Sequence, residues 1–410
     1  MLDIDFEKRV VVNPEGVTRA DLVVGIPSLN EANSIRFPTV EAARGLKEFF
    51  AERKSVIINC DNFSRDGTKD AFLTADTEIP KIYLSTPEGV QGKGYNILNL
   101  FRMALELQAK AVVLVDADVR NISPVWIRSL AEPLFNGYDL VSPIYVRNRY
   151  EGTITSNIAY PLTRALFGKR IREPIGGEVG VSARMAEDLL KSDPDDSCAG
   201  YGINIWITIL GIVRGFSLCQ AFLAGPKTHR KEDPEAVIMP VFREIVESTF
   251  RLMGRFRAFW RNVRWSKPTV IFGAGAEEVA PAQEMQADAG TLYRKFREGF
   301  PRFEELWRRI LHRDVFEKLM EVKKIHPDRF EFPALVWALV LFDYAWAYKN
   351  KKASQQVLME SLLPLYFGQT CSSAIATAHM SVNQVEVYID DLCRVFEETK
   401  SYLDYLWEKS

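Results

Sequence analysis

The chain has 410 residues, more than one ordinary hydrophobic core organises, so two domains are expected. It is 47% hydrophobic and 26% charged with a net charge of -2, a globular balance without the basic excess that a nucleic-acid surface needs. The five cysteines, at 60, 198, 219, 371 and 393, show no CxxC and no paired spacing, and read as reduced, mostly buried thiols of a cytoplasmic protein. Residues 1–7 are acidic and lack a signal-peptide apolar region. The longest apolar stretch, 332–342, is too short to span a bilayer and is predicted as a buried helix.

Taken in chain order, Leu22-Val23-Val24-Gly25-Ile26-Pro27 predicts a strand that breaks at a proline. Residues 39–53 predict an amphipathic helix, 55–60 a second strand and 82–84 a short third one. Residues 96–107 predict a helix, and Ala111-Val112-Val113-Leu114-Val115 a fully buried strand. Strands alternating with helices argue for parallel βαβ units. After about residue 240 the period changes to three and four residues, through 241–259, 292–311, 314–324, 332–348, 354–367 and 382–407. Segment 266–283 reads as a connector, with Pro268, Gly273, Gly275 and Pro281. The expected organisation is an α/β domain over 1–240 and an all-helical domain over 241–410. The aromatics Trp337, Tyr344, Trp346, Tyr348, Tyr402 and Trp407 sit at helical spacing; they read as core, with a homodimer interface as the other reading.

Chemistry concentrates at the ends of the predicted strands, where open α/β sheets bind ligands. Asp116-Ala117-Asp118 closes the buried strand, and two hard carboxylates there suit a divalent cation carrying a diphosphate. The first strand ends in Pro27-Ser28-Leu29-Asn30-Glu31, the second in Asp61-Asn62-Phe63-Ser64-Arg65-Asp66-Gly67-Thr68. Glu31 and Asp61 can accept hydrogen bonds from a ribose or base, whereas Asp66-Gly67-Thr68 reads better as turn chemistry. Gly89-Val90-Gln91-Gly92-Lys93-Gly94 is a glycine-rich loop opening a helix, suited to an anion, with Lys93 to neutralise phosphate charge. It lacks the spacing of a P-loop.

The order of these pieces resembles a GT-A nucleotide-sugar glycosyltransferase. Four further segments narrow the resemblance: 147–155, Pro174-Ile175-Gly176-Gly177-Glu178, Gly200-Tyr201-Gly202-Ile203-Asn204 and Gly225-Pro226-Lys227-Thr228-His229-Arg230. Together they are similar to the family of mannosylglycerate, glucosylglycerate and glucosyl-3-phosphoglycerate synthases. The resemblance runs through residues 20–235 and more loosely to the end. It implies a retaining, divalent-metal-dependent enzyme with a helical C-terminal domain. Position by position, it implies Asp118 and His229 as ligands of Mg²⁺ or Mn²⁺. Asp116 would face the nucleotide ribose, Glu31 the nucleoside, and Lys93 would belong to the family's Gly-Lys-Gly loop. Pro27, Asp61 and Ala117 complete the expected donor-binding set. Arg147 and Thr155 keep the family's separation for residues that hold the acceptor carboxylate, and an arginine fork is the natural reader of a carboxylate. The backbone N–H groups of Gly176 and Gly177 complete the acceptor side. One position departs from the family pattern: Asn204 stands where the relatives have an acid that contacts donor-sugar hydroxyls, which opens the identity of the sugar. Glu178 would be a further sugar-hydroxyl contact.

The expected function is hexose transfer from GDP-mannose, GDP-glucose or UDP-glucose to glycerate or a similar small hydroxy-acid, in compatible-solute synthesis. Lys93, Asp118, Asn204 and Glu178 form the expected catalytic group. No residue stands out as a covalent nucleophile, so front-face transfer is the economical mechanism. The rivals are an inverting family-2-type transferase, which needs a base that Asn204 does not supply, and a nucleotide-binding regulatory protein without turnover.

Overall fold

Residues 22–28 are buried along their whole length, as a strand covered by helices on both faces must be. In the computed structural model, which describes residues 6–146, 151–228, 234–273 and 288–408, they form β2 of a larger sheet. The described strands are β1 (Val11–Val12), β2 (Leu22–Ser28), β3 (Ser55–Asp61), β4 (Lys81–Ser85), β5 (Ala111–Leu114), β6 (Leu140–Val146), β7 (Lys169–Arg170), β8 (Val179–Ser182), β9 (Leu218–Pro226), β10 (Lys267–Pro268) and β11 (Ile271–Phe272). The helices are α1 (Arg36–Phe49), α2 (Thr68–Leu73), α3 (Lys93–Glu106), α4 (Pro124–Phe135), α5 (Tyr160–Phe167), α6 (Ala183–Leu190), α7 (Gly202–Val213), α8 (Pro234–Arg255), α9 (Arg257–Trp260), α10 (Ala289–Ile310), α11 (Arg313–Val322), α12 (Ala334–Lys349), α13 (Gln355–Thr377) and α14 (Val382–Glu408).

Among the described residues nine strands form one sheet in the order β1-β4-β3-β2-β5-β8-β6-β9-β11. β2 pairs in parallel with β3 and β5, and β3 with β4. β8 is antiparallel to both β5 and β6, and β6 runs parallel to β9. This reversal matters for function. The residues that lead into β8, Gly177 and Glu178, arrive on the same edge as Asp116 at the end of β5. The ends of β6 and β9 reach that edge too.

The chain folds as two compact units that interleave in sequence. The first comprises Met1–Val146, Ile171–Val237 and Thr269–Ala282; the second comprises Arg147–Arg170, Ile238–Pro268 and Gln283–Ser410. The α/β architecture therefore takes back a short connector segment, where β11 extends the sheet edge beside β9. The second unit takes in residues 147–170, far ahead of the cut near residue 240 that the change in period suggests. In the first unit, Trp126, Ile127 and Leu130 of α4 and Ala42, Ala43 and Leu46 of α1 share one buried cluster with the apolar residues of β2, β3 and β5. Each such large side chain contributes about 1.5–3 kcal/mol on leaving water.

Helix α1 starts three residues ahead of the predicted position, at Arg36. Pro38 is tolerated there because a first-turn N–H has no intrahelical partner to lose. In the second unit α13 runs ten residues past the predicted end, to Thr377. Its added turns bury small and polar residues (Gly368, Gln369, Thr370, Cys371 and Ser372), which carry no apolar period. Trp337, Tyr344, Tyr348 and Trp407 are buried, as their core reading requires. Among the described residues no helix is long and apolar enough to cross a membrane.

Asp343 is 1% exposed in the middle of α12. Its carboxylate accepts the backbone N–H of His312, which heads α11, at 2.8 Å, and the hydroxyl of Tyr402 on α14 at 2.6 Å. Burial outweighs these bonds and pushes the Asp343 carboxyl up to about 6. A carboxyl raised in the folded state stabilises the fold below its unfolded value and loses that contribution as pH rises through the folded one. The raise corresponds to roughly 3 kcal/mol. Asp343→Asn is therefore expected to gain about 2–3 kcal/mol on the wild type between pH 4 and pH 8. Urea denaturation at both pH values measures the gap, and a gap independent of pH refutes the assignment.

Candidate active site

The carboxyl edge of the first unit's sheet collects a set of opposite charges. Asp116 follows β5 and is ion-paired with Lys93 at the start of α3. Lys227, directly after β9, reaches the second Asp116 oxygen at 3.1 Å and Glu178 at 2.6 Å. Glu178 is fully buried; its carboxylate also accepts the Tyr145 hydroxyl of β6 and faces the Asp116 backbone N–H at 3.4 Å. The Lys227 ammonium lies 5.0 Å from the Tyr145 ring centre, and Lys93 lies 5.8 Å from that of Tyr201. Two lysines thus balance two carboxylates in a nearly dry cluster. Burial alone would drive the Lys93 ammonium toward neutrality. The Asp116 carboxylate overrides it and holds the lysine above its usual range.

Backbone packing dictates the glycines here. A Cβ on Gly177 would lie 2.2 Å from an Asp116 oxygen, so only glycine lets the 174–178 loop pass beside that carboxylate. A Cβ on Gly94 would stand 1.8 Å from the Cys198 carbonyl, while the Gly94 N–H donates to the Ala199 carbonyl at 2.8 Å. The Gly-Lys-Gly sequence is thus required by the chain it packs on, apart from any phosphate. Asn62 adds a support: its side chain accepts the Gly92 N–H at 3.0 Å and donates to Asn96 at 2.8 Å. Asn96 in turn donates to the Ser28 carbonyl at 3.1 Å.

The structure brings together Lys93, Asp116, Gly177 and Glu178. Asn204, on α7, donates its side-chain N–H to the Ile175 carbonyl at 3.3 Å and so holds the same loop, with Thr208 on Pro174 at 2.8 Å. Gly176 sits in that loop against Pro143. Asp118 is half-buried in the turn after β5, and Ala117 is buried between the two aspartates. The chain after β9 is fastened to this turn. Thr228 donates its N–H to Asn121 at 2.9 Å, and its carbonyl accepts the Arg120 N–H at 2.9 Å.

Pro27 is buried within β2. Glu31 follows it, bonded to Ser34, with its backbone N–H on Thr68 at 2.8 Å. Asp61 is fully buried and accepts from Ser28 at 2.7 Å, from Ser64 N–H at 2.7 Å and from Tyr83 at 3.1 Å, so its oxygens shape the loop after β3. Asp66 likewise serves its turn, accepting from Ala32 N–H at 3.0 Å. Thr155 belongs to the second unit, buried in a π-helical turn. The expected acceptor arginine, Arg147, and the expected metal ligand, His229, lie outside the described residues.

Sequence reasoning passed over Lys227 and Tyr145. Lys227 stood inside the quoted segment 225–230 and carried a signal, a cation directly after Gly225-Pro226. Tyr145 carried none, since a tyrosine in an apolar strand reads as core.

Residues 71–234, which carry this cluster from Lys93 to Lys227, match the family described as mannosylglycerate synthase, GT domain. That stretch is similar to the mannosylglycerate synthase GT domain. A curated relative, mannosylglycerate synthase of Rhodothermus marinus, is 25% identical over 219 residues, covering 48% of this chain and 54% of that protein. The chain thus spans about half the length of the curated relative it matches. Among solved structures, glucosyl-3-phosphoglycerate synthase of Mycobacterium tuberculosis with phosphoglyceric acid is 22% identical, with a TM-score of 0.46 over 57% of this chain and 80% of that one. The same enzyme with Mn²⁺, uridine diphosphate and glucosyl-3-phosphoglycerate is 23% identical, at the same TM-score and coverage.

Proposed function

We propose that this chain is a retaining, divalent-metal-dependent glycosyltransferase that moves a hexose from a nucleoside-diphosphate sugar to glycerate or a similar small hydroxy-acid. One observation carries the reading: the matched segment 71–234 is the segment that gathers Lys93, Asp116, Glu178 and Lys227 on one sheet edge. Asp118 and His229 are the proposed protein ligands of Mg²⁺ or Mn²⁺. The donor set fits. Asp118 is a half-buried carboxylate in the strand-end turn, and Thr228, the sequence neighbour of His229, is tied to that turn; a carboxylate and an imidazole, together with diphosphate oxygens and water, would suit a hard divalent cation. When bound, the cation supplies charge stabilisation to the departing diphosphate.

The residues of the chain do the rest. Lys93 and Lys227 place two ammonium groups where negative charge develops on the leaving phosphate. Asp116 accepts from the ribose. Glu178 is buried, and it serves by orienting Lys227 and the Asp116 backbone. Glu31 and Pro27 flank the nucleoside, and Asp61 shapes the loop beneath it. Asn204 holds the Pro174–Gly177 loop and addresses the sugar hydroxyls. Arg147, Thr155 and the Gly177 N–H remain the proposed holders of the acceptor carboxylate, whereas the Gly176 N–H is donated to the Glu173 carbonyl at 3.1 Å and drops out of that set. The sugar C1–phosphate bond breaks and the acceptor hydroxyl oxygen bonds C1 on the same face. The hydroxyl proton passes to the departing phosphate, and positioning supplies much of the rate.

The test is a donor-by-acceptor screen of purified protein with GDP-mannose, GDP-glucose and UDP-glucose against glycerate and 3-phosphoglycerate. Proton NMR of the fresh product is expected to give an α-anomeric coupling from an α-linked donor. A β-anomeric product moves the protein to the inverting class. Nucleotide binding without any transfer moves it to the regulatory reading.

A further inference from the structure

The charged cluster on the sheet edge of the first unit has an order of depth. The side chains of Lys93 and Asp116 are each 15% exposed, that of Lys227 is 6% exposed, and that of Glu178 is 0% exposed. Lys227 therefore lies one layer behind Asp116 and acts on a departing phosphate through its charge rather than by contact. In so dry a setting a charge is felt over several ångströms, so the place of the ammonium decides what it contributes. A lysine is a point charge on a flexible stem, and Lys227 stands between two carboxylates, with Glu178 at 2.6 Å and Asp116 at 3.1 Å. Tyr145 fixes it from the core side. The tyrosine ring belongs to the buried apolar cluster of the first unit, 6.1 Å from that of Trp126. The Tyr145 hydroxyl donates to the same Glu178 oxygen that takes Lys227, and it accepts the Glu178 N–H at 3.4 Å. Its ring centre lies 5.0 Å from the Lys227 ammonium. One buried side chain thus touches the Glu178 backbone, the Glu178 carboxylate and Lys227.

We infer that Tyr145 is a positioning residue for the transfer step, which holds the Glu178 carboxylate and thereby keeps Lys227 shared between Glu178 and Asp116. The inference rests on the reading of Lys227 as a source of positive charge for the leaving phosphate. With the hydroxyl in place, one Glu178 oxygen is satisfied by two donors, and Lys227 can lean toward Asp116. Without it, a fully buried carboxylate is short of a donor, and it draws the remaining one inward. The longer contact, to Asp116, is the one that gives way, and the charge retreats from the mouth of the site.

The experiment is a double-mutant cycle on the full chain, read by steady-state kinetics, calorimetry with uridine and guanosine diphosphate, and thermal unfolding. Tyr145→Phe keeps the ring and removes the hydroxyl. It is expected to lower kcat about tenfold, the worth of one hydrogen bond to a charged group, with donor KM and nucleotide affinity within about twofold. In the Lys227→Met background the same substitution should cost less than about twofold, because a residue that acts through Lys227 has nothing left to act on. Ser182→Ala is the control. Ser182 ends β8, the strand that Glu178 leads into, and its hydroxyl donates to the Asp139 carboxylate at 2.8 Å. It therefore loses a bond of the same kind in the same unit, and should lose comparable thermal stability while keeping the wild-type kcat. Should Tyr145→Phe fail to fold, Glu178→Gln decides by the same cycle. A folded Tyr145→Phe with unchanged kcat overturns the inference, as does an equal loss in both backgrounds or in Ser182→Ala. A wild-type chain that transfers no hexose sinks the functional reading, and the inference with it.

Discussion

Chelation with EDTA is expected to abolish transfer, and Asp118→Ala to lower kcat by about 10³-fold or more, the equivalent of several kcal/mol of charge stabilisation. The reason lies in the charge inventory of the edge. Lys93 and Lys227 are each matched to a carboxylate, Asp116 or Glu178, so they do not by themselves offset an arriving diphosphate. A divalent cation at the proposed Asp118 site would add positive charge beyond that of the described residues. His229→Ala is expected to behave like Asp118→Ala. Both variants should keep the wild-type circular dichroism, because Asp118 sits in a half-buried turn rather than in the core. Re-addition of Mn²⁺ should restore the chelated wild type but neither variant. Full activity of a metal-stripped sample would falsify the metal-dependent mechanism.

Lys93→Met is expected to lower kcat by about 10²–10³-fold, the usual loss when one fixed donor to a developing oxyanion is removed. The Met side chain keeps the length and the packing at the start of α3, so the loss isolates the charge. Because Asp116 holds the lysine above its usual range, the ammonium stays charged throughout the working pH range. The wild-type pH–rate profile should accordingly show no limb from Lys93 between about pH 6 and 9. A kcat within about threefold of wild type, with donor saturation checked separately, would remove Lys93 from the leaving-group site.

Local chemistry was the legible part of this protein. Apolar runs at 22–27, 55–60 and 111–115 became β2, β3 and β5, because a strand covered on both faces has to be continuously apolar. The helical periods after residue 288 became α10 to α14. The motif order also located the edge on which Asp116, Lys93, Gly177 and Glu178 meet. Less legible were β8 and its reversal. Val179–Ser182 is four residues long, and nothing in so short a segment declares which neighbours it pairs with or in which direction.

Partnership is decided by the tertiary structure. A carboxylate at a strand end looks the same in sequence whether it is spent on its own loop, as Asp61 is, or ion-paired with two lysines, as Asp116 is. Lys227 lies 111 residues from Asp116, and sheet order alone brings them together. Likewise, residues 147–170 read as part of the α/β segment but fold with the helices, among which the Asn157 carbonyl finds its donor in Trp337, 180 residues away. Periodicity is a property of neighbours in the chain, so it could announce strands, helices and turns. Hydrogen bonds and charge pairs across such distances depend on which elements pack side by side, and no local pattern encodes that.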